Sequence, residues 1–304
     1  MRKILIDCCP GVSGAMALLL AGRCRELELA GITTVYGLCS GEEAFRHAGE
    51  LTKELGLDIP VVRGADSPLF TERITGFGCP ADDLPGFADA ACVEEDDPGW
   101  AWDMLYRQAM ASGGELTVLA MGPLTNLAIA LFRYEDLPHY VKRIVILGGS
   151  AGAGNVTEFG EFNVVSDPHA CEVVLRSGIP VTMVGLDALE TLCLSAEEVD
   201  CIQKKIPEKF GAALSAWNRE QIEMGESRIT LPGAAAVAVL HDPTLAVSVP
   251  RYVRVETVQS GMKGRTVVDI RRHAKDAPNV DVVSTINKEG FLTWLNSLLL
   301  DSER

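Results

Sequence analysis

Short runs rich in Val, Ile and Leu alternate along this chain with amphipathic stretches, and that alternation constrains the fold more than any other feature. The runs fall at residues 3–7, 27–35, 60–64, 115–121, 143–148 and 180–186. They are almost continuously apolar, as strands are when both faces of their sheet are covered. Between them, residues 41–55, 100–111 and 166–177 place apolar side chains at helical spacing. Strand and helix in turn predict an α/β fold: an open, mostly parallel sheet with helices on both faces. The tail reads differently. Residues 252–258 and 265–271 alternate like a hairpin, 279–284 read as one more strand, and 288–300 as a closing helix.

At 304 residues, 47% of them hydrophobic, the chain can bury a large core. We read it as a single domain over 1–304, with a β-rich and helical part at 250–304. Residues 66–98, rich in Gly, Pro and Asp, read as a mobile lid loop over a site. A net charge of −15 without a basic cluster argues against nucleic acid or an anionic membrane as partner. No apolar run is long enough to span a bilayer and the N-terminus enters a strand directly, so a cytoplasmic protein is expected. The nine cysteines show no C-x-x-C spacing and read as reduced, mostly buried thiols.

Ligands of such sheets bind beyond the C-terminal strand ends. There the first strand runs into Asp7-Cys8-Cys9-Pro10-Gly11-Val12-Ser13-Gly14-Ala15. The later strand ends carry Met121-Gly122-Pro123-Leu124-Thr125-Asn126 and Leu147-Gly148-Gly149, then Gly154-Asn155-Val156-Thr157, Glu161-Phe162-Asn163 and Asp167-Pro168. In this order and spacing the chain resembles the inosine–uridine-preferring nucleoside hydrolases over nearly its whole length.

The resemblance implies cleavage of a nucleoside N-glycosidic bond by a calcium-activated water. It also implies a nucleoside or ribose-like ligand, and a homo-oligomer (dimer or tetramer). The family writes its first loop as Asp-x-Asp-Pro-Gly-x-Asp-Asp-Ala. Here Asp7 remains. Cys9 replaces the carboxylate that serves as both calcium ligand and base, Ser13 one that binds ribose, and Gly14 another calcium ligand. Thr125, whose carbonyl the family offers to calcium, is retained. The late catalytic pair falls either on Pro232-Gly233, without gaps, or on His241-Asp242, at the cost of deleting about ten residues. The first alignment is favoured. Leu38 stands for a ribose-contacting Asn, and Phe77 for a base-contacting His.

A thiol is a poor ligand for calcium, which takes hard oxygens. No cofactor is therefore expected, Asp7 and Thr125 are vestigial metal positions, and calcium-dependent catalysis is expected to be weak or lost. Asp7 then reads as a buried carboxylate accepting backbone N–H bonds. Asn155, Glu161 and Asn163 match the family's ribose contacts; they read equally as braces of the Gly-rich loop. The alternatives are an active ribonucleoside N-glycosidase with a rearranged mechanism, or a non-catalytic partner subunit. Cys8 and Cys9 read as small apolar fillers, and His241-Asp242 as a turn before Pro243.

Overall fold

The computed structural model describes residues 1–74, 99–223, 229–258 and 261–300. Its centre is an eight-stranded sheet. In chain order the strands are β1 (Arg2–Cys8), β2 (Leu27–Thr34), β3 (Val61–Arg63), β4 (Leu116–Met121), β5 (Val141–Leu147), β6 (Val181–Val184), β7 (Ala246–Arg251) and β10 (Val280–Ile286). They lie in the order β3-β2-β1-β4-β5-β6-β10-β7. All neighbours pair in parallel except β10 and β7, which are antiparallel.

The near-continuous apolar strands bury both faces, as their composition requires. Ile4 and Ile6 enter one hydrophobic cluster while Leu5 between them enters the other. The first cluster packs under α1 (Val12–Arg23), α2 (Gly41–Glu54), α8 (Ala196–Gln203), α10 (Pro232–His241) and α11 (Lys288–Leu300). The second packs under α3 (Ala101–Ala111), α4 (Thr125–Arg133) and α6 (Pro168–Leu175). The Ala-Met-Ala-Leu-Leu-Leu-Ala run of α1 combines strong helix formers with burial, consistent with its central position.

Several boundaries differ from the sequence expectation. The sixth strand stops at Val184, because Gly185 becomes the N-cap of α7 (Leu186–Glu190). The helix expected over 166–177 is broken at Asp167-Pro168 into α5 (Phe162–Ser166) and α6, since proline cannot donate to the turn before it. β7 was not expected. It is a half-exposed antiparallel edge strand carrying Pro250, so it lacks the continuous apolar run of its neighbours. The tail hairpin is present as β8 (Val253–Val255) and β9 (Thr266–Val268), paired antiparallel. The proposed lid falls largely on 75–98, outside the described residues, and Phe77 with it.

After β1 the chain builds outward through β2 and β3, then returns to place β4 on the other side of β1. The crevice beyond β1 and β4 is therefore the topological switch point, where open α/β sheets take their ligands.

Candidate functional site

A pocket of about 330 Å³ opens at this switch point. The β1–α1 loop contributes Cys9, the first turn of α1 Ser13 and Gly14, and the first turn of α10 Pro232. The opposite wall is the segment after β5, with Gly148, Asn155, Glu161 and Asn163. Leu38, Phe162 and Trp217 add apolar surface, Trp217 from α9 (Glu208–Glu223).

On the first wall, backbone fills the space that side chains could have used. The Gly233 N–H donates to Ser13 Oγ at 2.8 Å. A Cβ on residue 233 would lie 1.9 Å from the Ser13 carbonyl oxygen, so only glycine fits there. Gly37 is constrained in the same way: a Cβ on it would lie 2.8 Å from Cys9 Cβ and 2.9 Å from Cys9 Sγ. Cys9 Sγ is 3.4 Å from Cys39 Sγ, and both line the pocket. The Cys39 thiol, the backbone N–H groups of Cys39 and Leu38, and the charge of Arg73 lower the Cys9 pKa below the usual thiol range, against the opposing effect of burial. Cys8, by contrast, is fully buried, and burial pushes its thiol up. Cys9 lines the pocket, whereas Cys8 is core.

The second wall is polar and braced. Glu161 is the N-cap of α5, and its Oε2 accepts from the N–H of Gly149 (2.9 Å) and of Val164 (3.3 Å). Gly149 has φ +79°, the left-handed conformation that turns its N–H into the site. Burial raises the Glu161 pKa against these N–H donors. Asn155 Oδ1 accepts from Phe162 N–H at 3.0 Å, and Asn163 Nδ2 donates to the Leu147 carbonyl at 2.9 Å. Each amide commits one polar atom to backbone. Among the described residues no hydrogen bond engages Asn155 Nδ2 or Asn163 Oδ1. The loop-brace and pocket-lining readings thus hold together on the same residues.

Asp7 and Thr125 lie behind the pocket rather than on its surface; both are buried. Asp7 Oδ1 accepts from Thr33 Oγ1 (2.6 Å) and Asn126 Nδ2 (2.7 Å). The expected donors were backbone N–H groups; the observed ones are side chains. Parallel pairing presents Thr33 beside Asp7, and α4 delivers Asn126 from above. Burial pushes the Asp7 carboxyl up to about 6, more than its two hydrogen bonds lower it. Thr125 Oγ1 donates to Asp167 Oδ2 at 2.8 Å.

His241 and Asp242 stand at the far end of α10 from the pocket. Asp242 Oδ1 accepts from Thr244 N–H, which makes the turn before Pro243. His241 Nδ1 accepts from Trp294 Nε1 at 3.0 Å. Together with Cys24 and Glu26, His241 makes the group of possible metal-ligating side chains found among the described residues. The bond from Trp294 leaves the imidazole proton on Nε2, toward Glu26, so that nitrogen has no lone pair for an ion.

The family model for inosine-uridine preferring nucleoside hydrolases matches residues 4–293. The chain belongs to that family. It is 32% identical to the pyrimidine-specific ribonucleoside hydrolase RihA of Photobacterium profundum, over 97% of each chain. Among solved structures it resembles the plant nucleoside hydrolase PpNRh1, with TM-score 0.89 and 28% identity, covering 98% of each chain. It also resembles the purine-preferring ribonucleoside hydrolase from Gardnerella vaginalis, with TM-score 0.86 and 26% identity, again over 98% of each chain.

The residues at the metal positions that the family resemblance implies do not fit a calcium ion. Calcium takes about six to eight oxygen ligands, with carboxylates prominent. Among the described residues Asp7 Oδ2 is buried and without a partner, which suits a cation. The carbonyl of Thr125 could add a second oxygen. Cys9 brings sulfur, and Gly14 and Gly233 bring no side chain. Ser13 Oγ is already engaged by Gly233.

Cys39 and Trp217 escaped the sequence reading. Cys39 lies thirty residues from its partner with no motif spacing, and Trp217 sits on a helix that the apolar pattern did not reveal.

Proposed function

We propose that the pocket binds the ribosyl part of a ribonucleoside, or a similar polyol, and that the family's calcium-dependent hydrolysis is weak or lost here. The observation that carries this reading is the contact of Gly233 with Ser13. With the Gly233 N–H on Ser13 Oγ there is no room for a metal carboxylate at 233, and Cys9, Ser13 and Gly14 supply no carboxylate base beside it.

Binding is supported by the opposite wall. Two amides and a buried carboxylate are the groups that pair with vicinal hydroxyls, and hydrogen bonds to a charged group contribute roughly 1.5–3 kcal/mol each. Glu161, Asn155 and Asn163 are braced by backbone in fixed orientations, so little entropy is lost on binding. The relatives' names divide between pyrimidine and purine substrates. Ribose is the element they share, and it is the part we assign. Trp217 and Phe162 offer flat apolar surface for a base of either kind.

The competing reading is an active ribonucleoside N-glycosidase with a rearranged mechanism, which the relatives' printed activities favour. A third is a non-catalytic subunit paired with an active homologue. A homo-oligomer, dimer or tetramer, and a cytoplasmic location belong to the same proposal; light scattering on the purified chain tests the assembly.

The deciding experiment is a thermal-shift screen with ribose, inosine, uridine and an iminoribitol cation, repeated on Glu161→Ala and Asn163→Ala. A shift that disappears in both variants supports the reading. A shift that survives both places the ligand elsewhere, and no shift at millimolar ligand moves the partner-subunit reading forward.

A further inference from the structure

The floor of the pocket holds a feature that ribosyl recognition does not use. Cys9 and Cys39 approach to 3.4 Å between sulfurs, close to contact, and neither is in a disulfide. Both backbones are tightly held. Val35 N–H donates to the Cys8 carbonyl at 3.1 Å, just before Cys9, and Gly37 N–H donates to the Cys39 carbonyl at 3.0 Å. The next residue, Ser40, caps α2: Glu43 N–H donates to Ser40 Oγ, and Ser40 N–H to Glu43 Oε2. The spacing of the sulfurs is thus set by the ends of β1 and β2 and by the start of α2. Arg73 anchors on the Gly37 carbonyl at 3.3 Å and brings positive charge to Cys9.

We propose that Cys9 and Cys39 form a reversible thiol–disulfide site in the pocket floor, oxidised by hydroperoxides, and that closing it alters the pocket. A disulfide needs sulfurs about 2.0 Å apart, so they must approach by little more than an ångström from where the fold holds them. The chemistry balances in two steps. The Cys9 sulfur attacks the distal oxygen of the hydroperoxide; the S–O bond forms, the O–O bond breaks, and the alcohol (or water, from hydrogen peroxide) leaves with a proton. The Cys39 sulfur then attacks Cys9 sulfenic acid; the S–S bond forms, the S–O bond breaks, and water leaves with the remaining protons. Two thiols lose two electrons and one peroxide gains them. Cys9 is the attacking sulfur because it is the more exposed of the two in the pocket, where a peroxide reaches it, while Cys39 is buried. Cys39, seated behind it, is the resolving one.

The test treats the full-length protein with a small molar excess of hydrogen peroxide. Remaining thiols are then alkylated and the cross-link is mapped by tandem mass spectrometry. The expected result is one Cys9–Cys39 bond per chain, reversed by dithiothreitol and absent in Cys9→Ser and Cys39→Ser, while exposed Cys201 remains alkylatable at the same dose. Both thiols left alkylatable, Cys9 recovered as a sulfinic acid, or Cys9 joined to any other cysteine would overturn the proposal. Mapping needs no ligand, so its outcome is separate from that of the ribosyl reading, on which only the effect on binding rests. For that effect, the oxidised protein is expected to lose at least half of any shift produced by the iminoribitol cation. An undiminished shift in fully cross-linked protein would overturn the coupling.

Discussion

The two walls of the pocket differ in their chemistry. The Asn155–Asn163 wall keeps its polar groups and anchors each of them to backbone. The wall made by the β1–α1 loop, the first turn of α1 and the start of α10 offers sulfur, a hydroxyl and two glycines, and its backbone packs closely where Gly233 meets Ser13. Holding a sugar and activating a water are physically separate tasks. The first needs fixed donors and acceptors; the second needs concentrated charge on hard oxygens. On the function proposed above, this chain keeps groups suited to the first and lacks those suited to the second.

The largest effect should come from forcing a carboxylate onto the wall at Gly233. Gly233→Asp must displace the Ser13 carbonyl, 1.9 Å from where its Cβ would sit. It is expected to destabilise the fold by more than about 3 kcal/mol, read as the midpoint of denaturant unfolding. A variant with native stability would show that this wall can yield and still host a metal carboxylate.

Next comes the polar wall. Glu161→Ala leaves the buried N–H groups of Gly149 and Val164 without their acceptor, a cost of roughly 2–3 kcal/mol. Glu161→Gln retains an acceptor and should remain folded, yet lose on the order of tenfold in affinity for any ribosyl ligand. Equal affinity in Glu161→Gln would make Glu161 a brace only.

Asp7, behind both walls, gives a pH-dependent test. Its folded-state pKa of about 6 lies above the unfolded value of 3.8, so the native state binds the extra proton. The stability this contributes is complete below about pH 3.8 and is lost as pH rises through about 6. Asp7→Asn removes that loss. Relative to the wild type, the variant should gain on the order of 3 kcal/mol between about pH 4 and about pH 7. A gain for the wild type over the same range would mean that a cation or donor holds Asp7 ionised.

Much of this was legible from residue order. Strands buried on both faces announce themselves as unbroken apolar runs, and Cys9, Ser13 and Gly14, which line the pocket, stand together in the residue order after β1. The remainder depended on contacts that no local pattern encodes. β7 is half-exposed and reads as loop until it pairs with β10. The Cys9–Cys39 approach joins two loops across a parallel strand pair. The choice between Pro232-Gly233 and His241-Asp242 is a question of which end of one helix meets the pocket. Spacing favoured the first, and Pro232 lines the pocket while His241 packs on Trp294.

The smallest expected effect is none at all. Calorimetric titration with calcium should give no site tighter than about 1 mM, because Asp7 is the one carboxylate left at the positions where the family gathers several. A sub-millimolar site that vanishes in Asp7→Asn would contradict this.

The most direct test of the central claim is the hydrolysis of inosine and uridine by the purified protein, measured with added calcium and again with EDTA. The account predicts turnover well below the ordinary enzyme range, which begins at about 1 per second, and the same residual rate under both conditions. Turnover within that range, abolished by EDTA, would contradict it.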